Sequence, residues 1–516
     1  MDEKEKFSAS INEGYNFKGE SILLGGSIFK SENLPGVHIK LPLKTMNRHG
    51  LIAGATGTGK TKTLQLIAEG LSSKSVPVLM MDIKGDLSGL AQPGTVNPKI
   101  EERHQKIGIQ YTPSGYPVEL LTISNEKGAR LRATVSEFGP VLFSKMLELN
   151  DVQSGIVSLI FKYCDDNKLP LLDLKDFKKM LQYVSNEGKK EIESAYGKIS
   201  TTSTGTILRK IIELEQQKAD LFFGETSFEV EDLLKTDETG KGVISVIRLT
   251  DIQNRPKLFS TFLLCLLVEI YNTFPEEGDL DSPKLVIFID EAHLLFQEAS
   301  KALLSQIESI IKLIRSKGVG IFFCTQNPTD IPDSVLSQLG MKIQHALRAF
   351  TANDRKQINL IARNYPESEF YNVEELLTSM GIGEAAVTVL SEKGNPTPLA
   401  ATLLCAPASR MDILSENEIN ELISKSKLIQ KYNETIDRES AYEILTNKLN
   451  IQNEEEKEEI NSGVKSGKEE KSTVEKVLTS TTARQVGRTV AREITRGLLG
   501  VLGIGGSTRR KKTGFF

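Results

Sequence analysis

The chain has 516 residues, 39% of them hydrophobic and 26% charged, with a formal net charge of −4. This is the balance of a soluble globular protein with room for two or three domains and a sizeable buried core. The four cysteines, Cys164, Cys265, Cys324 and Cys405, lie at least 59 residues apart, which argues against a disulfide framework or a zinc motif and predicts buried thiols in a reducing compartment.

The opening "MDEKEKFSAS" is charged and contains no apolar signal core. The greasiest run, "LFSTFLLCLLV" at 258–268, is too short to span a bilayer and reads as a buried helix. A cytoplasmic location is expected. Residues 1–48 hold short strand-like pieces, "SILLGG" and "GVHIKLPL", and predict a small β cap. From 49 to 128, "LIAG", "VPVLMMDIKGD", "IGIQYT" and "YPVELLTI" read as buried strands, continuous in apolar residues as parallel strands covered on both faces are.

The texture changes over 129–238, where apolar residues such as Ile207, Ile211 and Leu214 recur at helical spacing. An all-helical insertion is expected there. Strands resume over 239–410 in "KGVISVIRL", "KLVIFID", "GVGIFFCTQ" and "KIQHALRAF", and "EAAVTVL" and "ATLLCAP" read as edge strands. Strands alternating with helices imply an α/β core with a mainly parallel sheet. Helices are expected over 411–448. The stretch 449–475 is polar and charged, and predicts a disordered acidic linker. A basic amphipathic tail follows over 476–516.

"GATGTGKT" at 54–61 matches the phosphate-loop pattern in full, after an apolar strand and before an amphipathic helix. Gly54, Gly57 and Gly59 let the backbone bend. The amides from Gly54 through Ala55, Thr56, Gly57, Thr58 and Gly59 to Lys60, Thr61 and Lys62 are the candidate nucleotide cradle. Lys60 is expected on the β- and γ-phosphates, and the Thr61 hydroxyl on Mg²⁺. The cofactors so implied are ATP and Mg²⁺.

"KLVIFIDEAH" at 284–293 delivers two carboxylates from the end of an apolar strand. Asp290 suits a Mg²⁺ contact, and Glu291 is placed to polarise the attacking water. The competing reading for Glu291 is a helix cap. His293 either couples the site to a neighbour or is a packed histidine. Gln326, after "IFFCT", reaches the same sheet edge and can sense the γ-phosphate. "MDIKGD" brings Asp82, Lys84 and Asp86 there too, with helix capping as the alternative for an Asp.

Phosphoryl transfer needs a cation at the developing charge. Arg348 is expected at a strand end within the same subunit. Arg130, Arg132, Arg315 and Arg355 are candidates to act on a neighbour. The letters D-E-A-H name helicases with two motor domains in one chain. Here the sheet is complete by about 407, and about 40 structured residues follow, too few for a second motor. The economical source of the missing half is an identical neighbour, and repeated head-to-tail contacts close into a ring. A ring suits a polymer, and DNA is the first expectation.

"GATGTGKT", "MDIKGDLSGL", "FIDEAHLLF", "LIRSKGVGIFFCTQNPTDIPDSVLSQLG" and "QHALRAFTANDRK", with "RATVSEFGP", "LNDVQSGI", "FFGE" and "AREITRGLLG", resemble the HerA-like bacterial ATPases, most closely a YjgR-like branch. The resemblance implies a RecA-like core assembled as a hexamer and ATP- and Mg²⁺-dependent translocation on double-stranded DNA. It places Lys60, Thr61, Asp290, Glu291 and Gln326 in the family's site and makes Arg348 its C-terminal arginine. HerA has a larger N-terminal β-barrel that binds a nuclease, whereas about 48 residues precede the phosphate loop here. A nuclease partner is therefore carried by the family alone. The runner-up reading is an ATPase of the same fold acting on protein or at a membrane, and the third is a nucleotide-gated scaffold.

Charge is uneven. From Arg484 onward the chain carries +7, so the remainder carries −11. Arg484, Arg488, Arg492 and Arg496 form one helical stripe beside Val486, Val490, Ile494 and Leu498. This tail has three readings: a DNA-phosphate tether, an interfacial membrane helix or a docking element on the acidic body.

Overall fold

The computed structural model describes residues 2–252, 255–278, 280–298, 301–434, 436 and 439–462. Contacts divide the chain into Met1–Ile444 and Leu445–Phe516. The first unit is built on a 12-stranded sheet.

The chain opens with helix α1 (Glu3–Gly14), not with a strand. The Asp2 side chain accepts from the Glu5 amide and the Glu5 side chain accepts from Asp2, a reciprocal cap. Phe7 and Ile11, one helical turn apart, are buried. Strands β1 (Ser21–Phe29) and β2 (Glu32–Pro42) follow as an antiparallel hairpin. The central strands come next: β3 (Gly50–Ala53), helix α2 (Lys60–Ser73), β4 (Val78–Asp82), helix α3 (Pro98–Ile107), β5 (Val118–Thr122) and the short β6 (Ala129–Arg130). "IGIQYT" is a helix end and a loop, not a strand, because Gly108 takes the left-handed cap position that ends α3.

The insertion comprises α4 (Val135–Met146), α5 (Asp151–Asp166), α6 (Leu174–Ser185), α7 (Lys189–Tyr196) and α8 (Thr201–Gln216). Its core is aromatic: Phe143 packs on Phe161, Phe177 and Phe223. It is not wholly helical at its start, since β6 pairs with β5 and adds to the main sheet. The chain then returns as β7 (Ile244–Arg248), helix α9 (Pro256–Thr273), β8 (Leu285–Ile289), helices α10 (His293–Glu298) and α11 (Lys301–Ile314), β9 (Val319–Thr325), β10 (Met341–His345), β11 (Glu384–Thr388) and β12 (Ala400–Leu404). As expected, α9 is the buried apolar helix, with Leu263, Leu267 and Ile270 at zero exposure.

The strand order is β2-β1-β12-β11-β10-β3-β9-β8-β4-β7-β5-β6. Every pairing from β10 to β6 is parallel. Every pairing from β10 back to β2 is antiparallel. Two expectations are corrected here. β11 and β12 are interior strands, because the N-terminal hairpin pairs outside them. That hairpin is therefore no separate cap: Gly25 lies opposite Leu404, and a Cβ there would meet the Leu403 carbonyl oxygen at 2.0 Å. The α1 helix is fixed on this wing through Tyr15, whose hydroxyl donates to Val387 O and Pro398 O, both at 2.9 Å.

Beyond the sheet, helices cover Glu416–Lys425, Lys427–Tyr432 and Ala441–Ser462. The last runs into the stretch expected to be a disordered linker from 449, so that stretch begins as helix through Ser462. Residues 463–516, which include the arginine stripe, lie outside the described residues. Among the described residues, no helix is long and apolar enough to cross a membrane.

Candidate nucleotide site

The parallel strands deliver the site because their C-terminal ends are level. Ala53 pairs with Thr325 and with Gln344, Phe323 with Ile289, and Ile289 with Met81. The phosphate loop after β3, the carboxylates after β8, Gln326 after β9 and the turn after β4 therefore share one edge, where open α/β sheets bind ligands.

The phosphate loop is anchored at its root. The Gly54 amide donates to Thr325 O at 3.3 Å and the Ala55 amide to Ala346 O at 2.9 Å. These two amides hold the loop to β9 and β10 and are not free for phosphate, a correction to the expected cradle. Thr56, Gly57 and Gly59, with the first turn of α2, supply the open donors. The Thr58 hydroxyl closes the turn on Ala55 O at 2.7 Å, and Thr58 O accepts from the Gly383 amide at 2.9 Å. Gly54 has φ 152°, and a Cβ there would lie 2.5 Å from His345 Cβ, so only glycine fits.

Lys60 is buried, and its Nζ donates to Gly54 O at 2.7 Å and Ala55 O at 3.1 Å. Burial lowers its pKa, with Glu291 and Asp290 pulling the other way, and an arriving phosphate would favour the charged form further. Thr61, in the first turn of α2, is half-buried. The Lys62 side chain is used elsewhere, donating to Met411 O at 2.5 Å.

The carboxylate end is built differently. Asp290 and Glu291 are 2% and 5% exposed. Asp290 Oδ2 and both Glu291 oxygens have no aligned hydrogen-bond partner. Lys84 Nζ forms an ion pair with Glu291 Oε1, and His293 Nδ1 lies 3.1 Å from Oε2 without hydrogen-bond alignment. Burial raises the pKa of Asp290, against the pull of Lys84. Glu291 holds φ 47°, a conformation that costs a β-carbon residue about 1–3 kcal/mol and concentrates at functional sites. It does not behave as an ordinary helix cap, since α10 starts only at His293.

Asp82 braces the turn after β4 and does not cap a helix, since the short helix that follows, Ser88–Ala91, has no side-chain cap. Its carboxylate accepts from the amides of Gly85 at 2.7 Å, Asp86 at 3.2 Å and Leu87 at 3.1 Å. Burial pushes its pKa up to about 7. Gln326 and Arg348 are both exposed at the rim. Arg348 does not end a strand, because β10 stops at His345 and the chain turns away to bond Leu347 N to Leu377 O at 2.8 Å. Of the arginines considered for a neighbour, Arg132 is used internally, with Nη1 donating to Glu225 O at 2.8 Å and Tyr432 O at 3.3 Å. Arg315 is exposed in a short turn before β9, at the opposite sheet edge, and Arg355 is exposed on helix Ala352–Ala362.

Sequence reasoning missed three supports. His345 is fully buried and bonds the Thr63 hydroxyl at 2.9 Å beneath the phosphate loop, and burial lowers its pKa to about 4, so it is neutral near Lys60. Arg103 bridges Gly383 O, Leu404 O and Ile382 O at 3.0–3.1 Å, tying α3 to the loop that touches Thr58. Glu69 accepts from the Ala408 and Ser409 amides at 2.8 and 3.0 Å, with its pKa pushed by burial up to about 7. No local motif marks these residues, because their partners lie hundreds of positions away.

Comparison with known proteins bears on this site. A family model described as "Helicase HerA-like C-terminal" matches residues 28–510. The DNA double-strand break repair helicase HerA of Sulfolobus acidocaldarius is 22% identical over 360 residues, 68% of this chain and 64% of that protein. The DNA import protein CedB of the same organism is 24% identical over 69% of this chain and 52% of its own length. This chain thus spans less than two thirds of these relatives. Among solved structures, the plasmid coupling protein TrwB in complex with ADP and Mg²⁺ matches with TM-score 0.51 and 14% identity, over 78% of this chain and 99% of that one. That likeness shows the fold: a RecA-like P-loop core.

Proposed function

The chain belongs to the HerA-like helicase family of P-loop ATPases, and from that premise we propose that it hydrolyses ATP with Mg²⁺ and uses the cycle to translocate on or remodel double-stranded DNA. The observation that carries the hydrolysis reading is the convergence of the phosphate loop with Asp290 and Glu291 on one sheet edge, with both carboxylates buried and Asp290 Oδ2 without a hydrogen-bond partner. A passive nucleotide switch needs the first carboxylate and has no use for a second one held in a costly backbone conformation.

The residues fit Mg²⁺. Asp290 Oδ2 is an orphaned buried oxygen, and Thr61 stands in the first turn of the helix that follows the phosphate loop. Thr61 and Asp290 would hold the ion, which supplies charge neutralisation at the phosphates. Lys60 leaves the carbonyls of Gly54 and Ala55 to bind phosphate oxygens. The Thr56, Gly57 and Gly59 amides orient the phosphates. Glu291 polarises the attacking water. Gln326 and Arg348, exposed at the rim, are proposed as the γ-phosphate sensor and the cis arginine.

The DNA reading rests on the family and on the names its relatives carry. The oligomer reading, a ring of identical subunits and most simply a hexamer, rests on the rim: its polar groups are open in one subunit, and a neighbour would complete it. The YjgR-like placement rests on the sequence motifs, and a nuclease partner and a membrane contact through the tail rest on the family and the arginine stripe. The test is the ATPase rate of the purified chain with and without duplex DNA. Stimulation by DNA supports the motor. A rate indifferent to DNA favours a same-fold ATPase acting on another polymer.

A further inference from the structure

Lys84 is absorbed by none of the roles above. It stands in the turn after β4, and that turn is rigid: Asp82 accepts three of its amides, and Gly85 holds φ 79°. Because Met81 pairs with Ile289, the turns that follow β4 and β8 are neighbours at one sheet edge. That register brings Lys84 onto Glu291. The two partners are unequal. The Lys84 side chain keeps 36% exposure, whereas that of Glu291 keeps 7%. Solvated ion pairs contribute little, but here the acid is buried, so loss of the Lys84 ammonium removes the cation in direct contact with it. His293, Asp290 and Lys60 also act on Glu291.

We propose that Lys84 is a positioning residue, which holds Glu291 away from the attacking water until the γ-phosphate of ATP draws the ammonium off. The inference rests on the hydrolysis reading above. A carboxylate paired to an ammonium is committed in direction, so it cannot orient water freely. The γ-phosphate is a more highly charged acceptor at the same sheet edge, and it competes for the exposed and mobile partner of the pair. In the ATP-bound site Lys84 is shared between the phosphate and Glu291, and Glu291 turns to the water only in the fraction of sites where Lys84 has moved to the phosphate. No covalent bond of the protein changes. Basal hydrolysis is thereby held below the rate that a free Glu291 would give.

The test uses the full chain with Lys84→Met, which keeps the aliphatic stem and removes the charge, and Lys84→Arg, which restores charge. Lys84→Gln is the second neutral variant if thermal melting shows that Lys84→Met disturbs the fold. The readouts are kcat and KM for ATP without DNA. The expected result is a kcat raised about fivefold or more in the neutral variants, with KM held within about twofold. Lys84→Arg should stay at the wild-type rate, and the Lys84→Met/Glu291→Gln double variant should fall to the level of Glu291→Gln alone. A lowered kcat at constant KM would overturn the proposal, since Lys84 would then assist catalysis directly. So would a raised KM at constant kcat, the mark of a phosphate ligand alone, or no change in either. Wild-type hydrolysis that is lost in Glu291→Gln keeps the ATPase reading standing in each of those cases. A wild type without turnover overturns that reading first and this one with it.

Discussion

The two ends of the site are made to opposite specifications. At the phosphate loop, Lys60 bonds two carbonyls, the Thr58 hydroxyl closes its own turn, and the Gly54 and Ala55 amides are tied to β9 and β10. At the carboxylate end, Asp290 Oδ2 and both Glu291 oxygens lack aligned partners, and the Glu291 backbone sits in the left-handed region. The first end is a preformed receptor whose internal bonds can be exchanged for phosphate. The second holds buried carboxylates, one with an unpartnered oxygen and one paired with a half-exposed lysine, where chemistry is to happen. Binding and turnover should therefore separate by mutation.

The largest effect expected is at the receptor. Lys60→Ala removes the charge that meets the phosphates, and ATP turnover should fall about 10²–10³-fold, with labelled-nucleotide binding weakened in parallel. Turnover lost at unchanged affinity would move Lys60 to the chemical end and blur the contrast. Gly54→Ala should come next, because its new Cβ would lie 2.5 Å from His345 Cβ. A melting curve should show a loss of about 1–3 kcal/mol, and an unchanged melt would mean that the loop root is not fixed. Gln326→Ala and Arg348→Ala should lower kcat by about tenfold each with little effect on melting, as exposed rim groups do. If either lowers stability instead, its role is structural.

The smallest effect concerns pH. Burial raises the pKa values of Glu69 and Asp82 to about 7, from ordinary values of 4.5 and 3.8. A carboxyl with a raised folded-state pKa binds its proton more tightly in the folded state, so its contribution is present at low pH and is lost as pH rises through the folded value. Stability should drop between about pH 4.5 and 7 on this account. Glu69→Gln should flatten that slope, measured as the difference in melting temperature between the two ends of the window. An unchanged slope would show that Glu69 is ionised throughout.

Much of this was legible in the sequence because the chemistry is local. "GATGTGKT" and "FIDEAH" each fit inside one strand-turn-helix, so Lys60, Thr61, Asp290 and Glu291 could be placed by spacing alone. The register of the parallel strands then brought them together as an α/β sheet requires. The N-terminal helix carried a readable signal too, an Asp2 and Glu5 cap with Phe7 and Ile11 one turn apart, but it was overshadowed by the charged texture around it. What could not be read was non-local. The hairpin β1–β2 pairs with β12, nearly four hundred residues on, and no periodicity encodes a partner. Arg348 was misplaced for a similar reason: apolar texture runs past His345, but the backbone of Leu347 bonds to Leu377 and not to the sheet. The Lys84–Glu291 pair depends on the register of β4 with β8, and appears only once both turns are set side by side.

The most direct test of the divided site is Glu291→Gln, with ATP affinity and ATP turnover measured on the same preparation. The variant keeps the phosphate loop and the side-chain shape while removing the base. ATP affinity within about twofold of wild type, with turnover reduced about 10²–10⁴-fold, is the result predicted here. Turnover that survives the substitution, or affinity that falls along with it, would contradict a site whose receptor and chemical ends are separate.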